Sequence, residues 1–334
     1  MNNNRQTFRR SVLGAALALA TTVGIGGFSA SALADASFPS KPIKLVVGFP
    51  PGGSNDIVAR IIAVPLGEQL GQPVIVENKP GASGVLGSSS VSKAAADGYT
   101  LLLSSASPLV IAPHLLPKKP FEVTKDFAPI GTVGSTPEAI AVGPSLQAKD
   151  FRDFMEQAKT RPITISSSGN GGLPHLTIEL LKQASNNKIT HVPYKGAGPA
   201  VSDTLAGHVN AVTMDLPALI SFIRDGKLKA LAVTSDKRVD FLPDVPTAQE
   251  QGLPSFSSVN WFGFFAPAGT PQPVVDKIHA ALHRIARDPK VRDQLMRAAV
   301  VPGTSASPAE FAQFVAKENE RWARVARESG ATMD

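Results

Sequence analysis

Two stretches of this 334-residue chain place glycines beside short hydroxyl and amide side chains, where an apolar run gives way to helical spacing. The first is Gly48-Phe49-Pro50-Pro51-Gly52-Gly53-Ser54-Asn55-Asp56, after the strand-like Ile43–Val47 and before Ile57, Val58, Ile61 and Ile62. The second is Ser166-Ser167-Ser168-Gly169-Asn170-Gly171-Gly172-Leu173-Pro174-His175, between Ile163-Thr164-Ile165 and an amphipathic helix that continues through Leu176, Glu179 and Leu180. Each reads as strand, Gly-rich turn, helix N-terminus. The chemistry of such a unit is anion binding. Free backbone N–H groups at a helix start, backed by the helix dipole, attract negative charge. Glycine lets the anion come close, because no Cβ stands in the way. A tight turn before a helix has the same composition, so the residues alone leave both readings open for the first loop. In the second, three serines and three glycines exceed what a turn needs.

Other chemistries fit less well. The first loop is not a nucleotide loop, because no Gly-Lys-Ser/Thr follows and the G-x-G-x-x-G spacing is lacking. Ser54 or Ser168 with His175 would suggest a serine hydrolase. Neither serine sits in a G-x-S-x-G elbow, however, and a histidine in a helix's first turn is usually structural, so no enzyme is expected. His279 and His283 stand four apart without the glutamate of H-E-x-x-H or a third ligand; neither a metal nor a cofactor is expected. Asp56 either complements the dipole of its own helix or meets a ligand through water or a ligand amine. Asp215, ending the strand-like Val209–Met214, has the same two readings. Tyr194 is a strand-end core residue or a hydrogen-bond partner of the ligand, and Lys195 faces either the anion or solvent.

The elements that must position these residues alternate between strand-like and helix-like segments. Pro73–Glu77, Tyr99–Leu103, Ala139–Val142, Val209–Met214 and Leu228–Thr234 are strand-like, and helical spacing is expected from Val85 to about Ala96, from Phe151 onward and from Pro199 to Leu205. The Ser104-Ser105-Ala106-Ser107-Pro108 turn is followed by an apolar stretch through Leu116. The end of the chain is helical over 274–286, 291–298 and 308–328. Alternation of this kind predicts an α/β fold, a parallel sheet with helices on both faces, whose ligands sit beyond the carboxyl ends of the strands. The simplest partition has two lobes, 35–138 with 262–334 and 139–261. They are joined by two hinge crossings near Ala139–Val142 and Trp261–Phe265, with closure around a ligand as the natural motion.

Composition is that of a globular chain, 43% hydrophobic and 18% charged. Cysteine is absent, which excludes disulfides, thiolate metal sites and a cysteine nucleophile. Residues 1–34 read as a secretory signal peptide: Arg5, Arg9 and Arg10 without an acid, an apolar stretch from Val12, and Ala32-Leu33-Ala34 before Asp35. Arg9-Arg10-Ser11-Val12-Leu13 also resembles a twin-arginine signal, with Phe8 where such signals have Ser or Thr. An uncleaved anchor is the alternative. Removing this leader lowers the formal charge from +6 to +3. No Lys/Arg run with interleaved aromatics points to nucleic acid, and no later stretch is long and apolar enough to span a membrane. A soluble, monomeric mature protein is expected.

Several motifs resemble the Bug-type solute receptors of tripartite tricarboxylate transporters. They are Gly48–Asp56, Ser168-Gly169-Asn170-Gly171 with His175-Leu176, Val192-Pro193-Tyr194-Lys195-Gly196, Leu231-Ala232-Val233-Thr234-Ser235 with Leu242-Pro243-Asp244-Val245-Pro246-Thr247, and Trp261-Phe262-Gly263 with Ala266–Pro271. The likeness runs from Phe38 onward, and the order and spacing of the motifs carry it. The resemblance implies a periplasmic two-lobed Venus-flytrap fold of type II-like topology. It implies a small organic carboxylate as ligand and two membrane subunits as partners. Carried over by position, the ligand contacts are Phe49, Gly53, Ser54, Asn55 and Asp56 from one lobe, with Ser105 in the turn after the third strand. From the other lobe they are Ser167, Ser168, Gly169, Tyr194, Gly196 and Asp215. The chain departs from the family at Ser104–Pro108, where many relatives have a Gly/Thr-rich turn followed by Asn-Pro and this chain has Ala112-Pro113. A signalling partner in place of a transporter is an alternative that the residues do not separate.

Overall fold

The computed structural model describes residues 38–185, 188–254 and 256–333, so the expected leader, 1–34, lies outside the described residues. From Pro39 the chain forms one compact unit. Its first part alternates as the apolar pattern demands: β1 (Ile43–Val47), α1 (Ser54–Leu70), β2 (Val74–Asn78), α2 (Val85–Ser92), β3 (Thr100–Ser104), then the short α3 (Ala112–Leu115) and α4 (Val123–Asp126). The long β4 (Phe127–Val142) leads to α5 (Phe151–Thr160), β5 (Ile163–Ser167), α6 (Leu173–Ser185), β6 (Ile189–Pro193), α7 (Ala197–Leu205), β7 (Ala211–Asp215), α8 (Leu216–Arg224) and β8 (Lys229–Val233). The chain closes with β9 (Val259–Pro267), α9 (Gln272–Ile285), α10 (Pro289–Arg297), β10 (Val301–Pro302) and α11 (Pro308–Ser329). Among the described residues no helix is long and apolar enough to cross a membrane.

The strands follow the order β2-β1-β3-β9-β4-β7-β5-β6, with β8 and β10 also paired to β4. The sheet is mixed. β1, β2 and β3 run parallel to one another, as do β5, β6 and β7, while β4 and β9 run against them. β4 belongs to both groups: Phe127–Pro137 pairs with β9, and Glu138–Val142 pairs with β7 and β8. Beside it, the Thr234 N–H donates to the Glu138 carbonyl at 3.0 Å and the Ser258 N–H to the Thr234 carbonyl at 2.9 Å, so the return of the chain lies next to the outward crossing.

Each group of strands has its own core. Phe151, Phe154, Ile163, Ile165, Ile178 and Leu181 pack α5 and α6 onto β5. Val46, Leu102, Leu109, Phe265, Phe311 and Trp322 pack α11 and the segment after β3 against the other group. Each such side chain contributes about 1.5–3 kcal/mol by leaving water.

Four expectations are corrected. The Ala139–Val142 strand begins at Phe127, because register shifts at Pro129/Gly131 and Thr132/Gly134 absorb the residues that read as breaks in the sequence. The helix expected from Val85 to Ala96 ends at Ser92 and is preceded by a 3-10 turn at Ala82–Gly84. The apolar stretch after Ser104 is a π-helical turn, Ser107–Ile111, that runs into α3. The sheet expected to be parallel is mixed, because the chain crosses between the two strand groups along β4 and β9, which run antiparallel to their neighbours.

Candidate functional site

Two cavities lie at the carboxyl ends of β1, β3, β5, β6 and β7. The inner one holds about 30 Å³ and is lined by Gly53, Ser54 and Asn55 at the start of α1, Ser105 after β3, Ser168 after β5, and Asp215 at the end of β7. Phe49, Pro50, Ser107 and Asn260 are also in its wall, with Pro174, Ala197 and Met214. The outer one holds about 550 Å³ and is lined by Phe49, Pro50, Ser83, Ser168, Gly169, Tyr194, Lys195 and Gly196, among others. Phe49, Pro50 and Ser168 border both cavities, so the two adjoin.

The helices that start here expose their N-termini to the cavity. Gly53 and Gly196 stand at the capping positions before α1 and α7, and neither glycine can supply a side-chain cap. Away from the cavities, α5, α10 and α11 are capped by the side chains of Asp150, Asp288 and Ser307. An anion held at Gly53–Asn55 would therefore take the place that a capping side chain takes elsewhere.

Loops from the two strand groups already touch across the pocket. Ser83 Oγ donates to the Asn170 carbonyl. The Leu173 N–H, first in α6, donates to Ser107 Oγ at 2.9 Å. Gly169 has φ +148°, a conformation that favours glycine, and a Cβ there would stand a tight 3.0 Å from Ser83 Oγ.

Two of the expected contacts line neither cavity. Asp56 accepts from the Gly52 N–H at 2.9 Å, from Arg60 Nε at 3.0 Å and from Asn78 Nδ2 at 2.9 Å, while Asn78 Nδ2 also reaches the Phe49 carbonyl at 2.9 Å. Its carboxylate is occupied in bracing the first loop. Burial alone would raise its pKa, but the hydrogen bonds from Arg60, the Gly52 N–H and Asn78 together bring it below the ordinary value. Ser167 Oγ lies 2.5 Å from His191 Nε2 and accepts from the Gly169 N–H at 3.3 Å, beneath the second loop. Burial, then the neighbouring His175 and Lys182, push the His191 pKa down to about 3, so its ring is neutral. His175 stacks on it, centroids 4.3 Å apart, and accepts from the Gly171 N–H at Nδ1. Both histidines thus hold the loop. Tyr194 lines the outer cavity, but its hydroxyl donates to Asp203 at 2.6 Å.

Sequence reasoning missed Asn260, Ser107 and Glu138. Asn260 Nδ2 donates to Asp215 Oδ2 at 2.8 Å, and its Oδ1 accepts from the Ala106 N–H at 3.1 Å. Glu138 is fully buried opposite Asp215 in the β4–β7 register. Thr177 Oγ1 and Ser258 Oγ donate to its Oε2, the latter at 3.2 Å. A signal was available for both: each is a lone polar residue against an otherwise apolar strand, Glu138 before Ala139–Val142 and Asn260 before Trp261. Burial, and then the charge of Asp215, hold the Glu138 carboxyl well above the usual range. Burial raises Asp215 to about 6, against hydrogen bonds from Asn260 and Ser54.

A further cavity of about 330 Å³ lies elsewhere, between Trp261, Val301, Phe311, Phe314 and the β4 residues Thr132, Gly134 and Ser135. Among the described residues no group of three or more His, Cys, Asp or Glu could hold a metal ion.

The family model described as "Tripartite tricarboxylate transporter family receptor" matches residues 58–331. The chain belongs to this family. It is 38% identical over 314 residues to protein BugT of Bordetella pertussis strain Tohama I, covering 93% of this chain and 96% of that one. Among solved structures, periplasmic binding protein BugD superposes with a TM-score of 0.84 at 34% identity, over 89% of this chain and all of that one. MatC from Rhodopseudomonas palustris, solved with bound malate, gives a TM-score of 0.81 at 32% identity over 86% of this chain and 100% of its own. An R. palustris protein solved with adipate gives 0.85 at 31%, over 88% and 99%. The tripartite receptor family accordingly fixes the fold class as the two-lobed α/β periplasmic-binding-protein fold, and the family is one of receptors, not enzymes.

Proposed function

We propose that this chain is an extracytoplasmic receptor. In this reading it closes on a small organic carboxylate and presents it to two membrane subunits of a tripartite tricarboxylate transporter. The observation that carries the reading is the inner cavity, where the uncapped start of α1 (Gly53, Ser54, Asn55) meets Ser168 from the other strand group. Relatives of the same fold are solved with malate and with adipate, which supports a carboxylate as the ligand. The inner cavity admits little more than one water in its present form. One ligand carboxylate takes that place when the cleft opens and recloses, and the rest of the ligand extends past Phe49 and Pro50 into the outer cavity. Residues 35–138 with 262–334 move as one lobe and 139–261 as the other, hinged where β4 and the return at Ser258 lie side by side. Neutral donors suit a receptor that must also release its cargo, since backbone N–H and hydroxyl groups hold a carboxylate without a permanent ion pair.

A thermal-shift series of mono-, di- and tricarboxylates tests this. A rise in melting temperature that grows with ligand concentration is expected for at least one acid of the malate or adipate class. No shift with any of them contradicts the reading. For an acid that binds, Ser168→Ala is expected to weaken affinity by about 1–2 kcal/mol, the scale of a hydrogen bond to a charged group. Titration calorimetry checks it, and an unchanged affinity removes Ser168 from the site.

A further inference from the structure

Among the described residues, Glu138 and Asp215 are two carboxylates with no cation paired to them. They face each other in register across β4 and β7, both buried. Each keeps one oxygen without a hydrogen-bond partner, Glu138 Oε1 and Asp215 Oδ1. Every group seen to touch them is neutral: Thr177 from α6, Ser258 and Asn260 beside and on β9, and Ser54 from α1. Titratable groups on neighbouring elements are engaged elsewhere. Asp56 on α1 is held by Arg60 and Asn78, His175 on α6 by Gly171 and Glu179, and His191 on β6 is neutral against Ser167. Two like charges this close in a dry setting cannot both persist, so the pair retains a proton. Asp215 lines the inner cavity with Ser54 and Asn55, where the ligand carboxylate is assigned, whereas Glu138 lies behind it.

We propose that the Glu138–Asp215 pair makes capture proton-linked: it holds one proton when the cleft is empty and takes a second from solvent, onto Asp215, when an anionic carboxylate enters. The balance is simple. One solvent proton and one ligand carboxylate enter together; the Asp215 carboxylate becomes a carboxyl, and its O–H donates to the ligand oxygen. Asp215 thereby turns from a group that repels the cargo into a donor that holds it, and the charge of the cleft is unchanged by loading. The inference rests on the carboxylate-receptor reading and adds the role of this pair to it.

Calorimetry with adipate and malate tests it, from about pH 6.5 to about pH 8.5, where a simple carboxylate is ionised throughout. Titrations at about pH 7.5 in buffers of different ionisation enthalpy count the protons directly on the unaltered protein. The expected result is uptake approaching one proton per ligand, and an affinity that falls toward tenfold per pH unit at the alkaline end. Asp215→Asn fixes a neutral donor at the site. It is expected to bind with no pH slope and more tightly than the unaltered protein at about pH 8.5. Glu138→Gln replaces a carboxyl already protonated, so the slope should remain. Binding without proton uptake and with a flat pH profile overturns the proposal while leaving the carboxylate reading intact. So does an Asp215→Asn variant that binds more weakly at every pH, which would mark Asp215 as an acceptor for a ligand donor. If none of the acids binds at any pH, the carboxylate reading falls and the proposal falls with it.

Discussion

Gly196→Val should cost the receptor about a hundredfold in ligand affinity, or ~2.7 kcal/mol, beyond what Gly196→Ala costs. Gly196 has φ +110°, a conformation that strains any side chain, so both variants carry a backbone penalty of about 1–3 kcal/mol. That penalty is common to the open and closed forms. What differs is the neighbour. An added Cβ at Gly196 stands 3.0 Å from Pro50 Cγ and 3.3 Å from Cδ, and Pro50 belongs to the loop on the other side of the pocket. Alanine presses on a ring that can yield by a few tenths of an ångström; the two methyls of valine cannot be accommodated without parting the loops. The comparison therefore isolates closure. Calorimetry with a bound dicarboxylate measures it, and equal affinity of the two variants would show that Pro50 and Gly196 need not meet when the ligand is held.

The largest effect on stability is expected at Asp56. Its carboxylate accepts from the Gly52 N–H, Arg60 and Asn78, and is almost completely buried. Asp56→Ala removes an acceptor shared by three donors and leaves the Gly52 N–H and the Asn78 amide without it. A loss of about 2–3 kcal/mol in unfolding free energy follows from hydrogen bonds to a charged group. Ligand affinity should fall as well, because the same contacts fix Gly52 and Phe49 ahead of the α1 N-terminus. Arg60→Gln should cost far less, under about 1 kcal/mol, since the Arg60 side chain is 55% exposed. The pH dependence has a definite sign. Because the folded-state pKa of Asp56 is depressed, its stabilisation is complete above the ordinary carboxylate value and is lost as pH falls through the depressed one. Denaturant unfolding at neutral and acid pH should show the Asp56→Ala deficit shrinking in acid. A deficit that does not change with pH would mean the carboxylate's charge is not what stabilises the loop.

Much of this was readable in the residues because local chemistry and tertiary position agree. Gly52-Gly53-Ser54 and Ser168-Gly169 announce strand–turn–helix units, and parallel topology brings such units to the same edge of a sheet. The element boundaries failed where distant pairing overrides local preference. Pro129 and Pro137 argue against a strand in isolation, yet both lie in β4, because bulges and a partner strand tolerate them. Individual side chains were less legible than their loops. Asp56 and Ser167 stand at the expected positions, but Asn78 and His191, remote in sequence, take up their polar atoms. Glu138 was passed over because its importance depends on being opposite Asp215, a register that no local pattern specifies.

A co-crystal structure with the most stabilising dicarboxylate tests the central claim most directly. One ligand carboxylate should lie within hydrogen-bond distance of both Ser54 and Ser168, against the Gly53–Asn55 end of α1, with Phe49 and Pro50 closed over it. Ligand found instead in the cavity beside Trp261 and Phe314, or held by one side of the pocket alone, would contradict it.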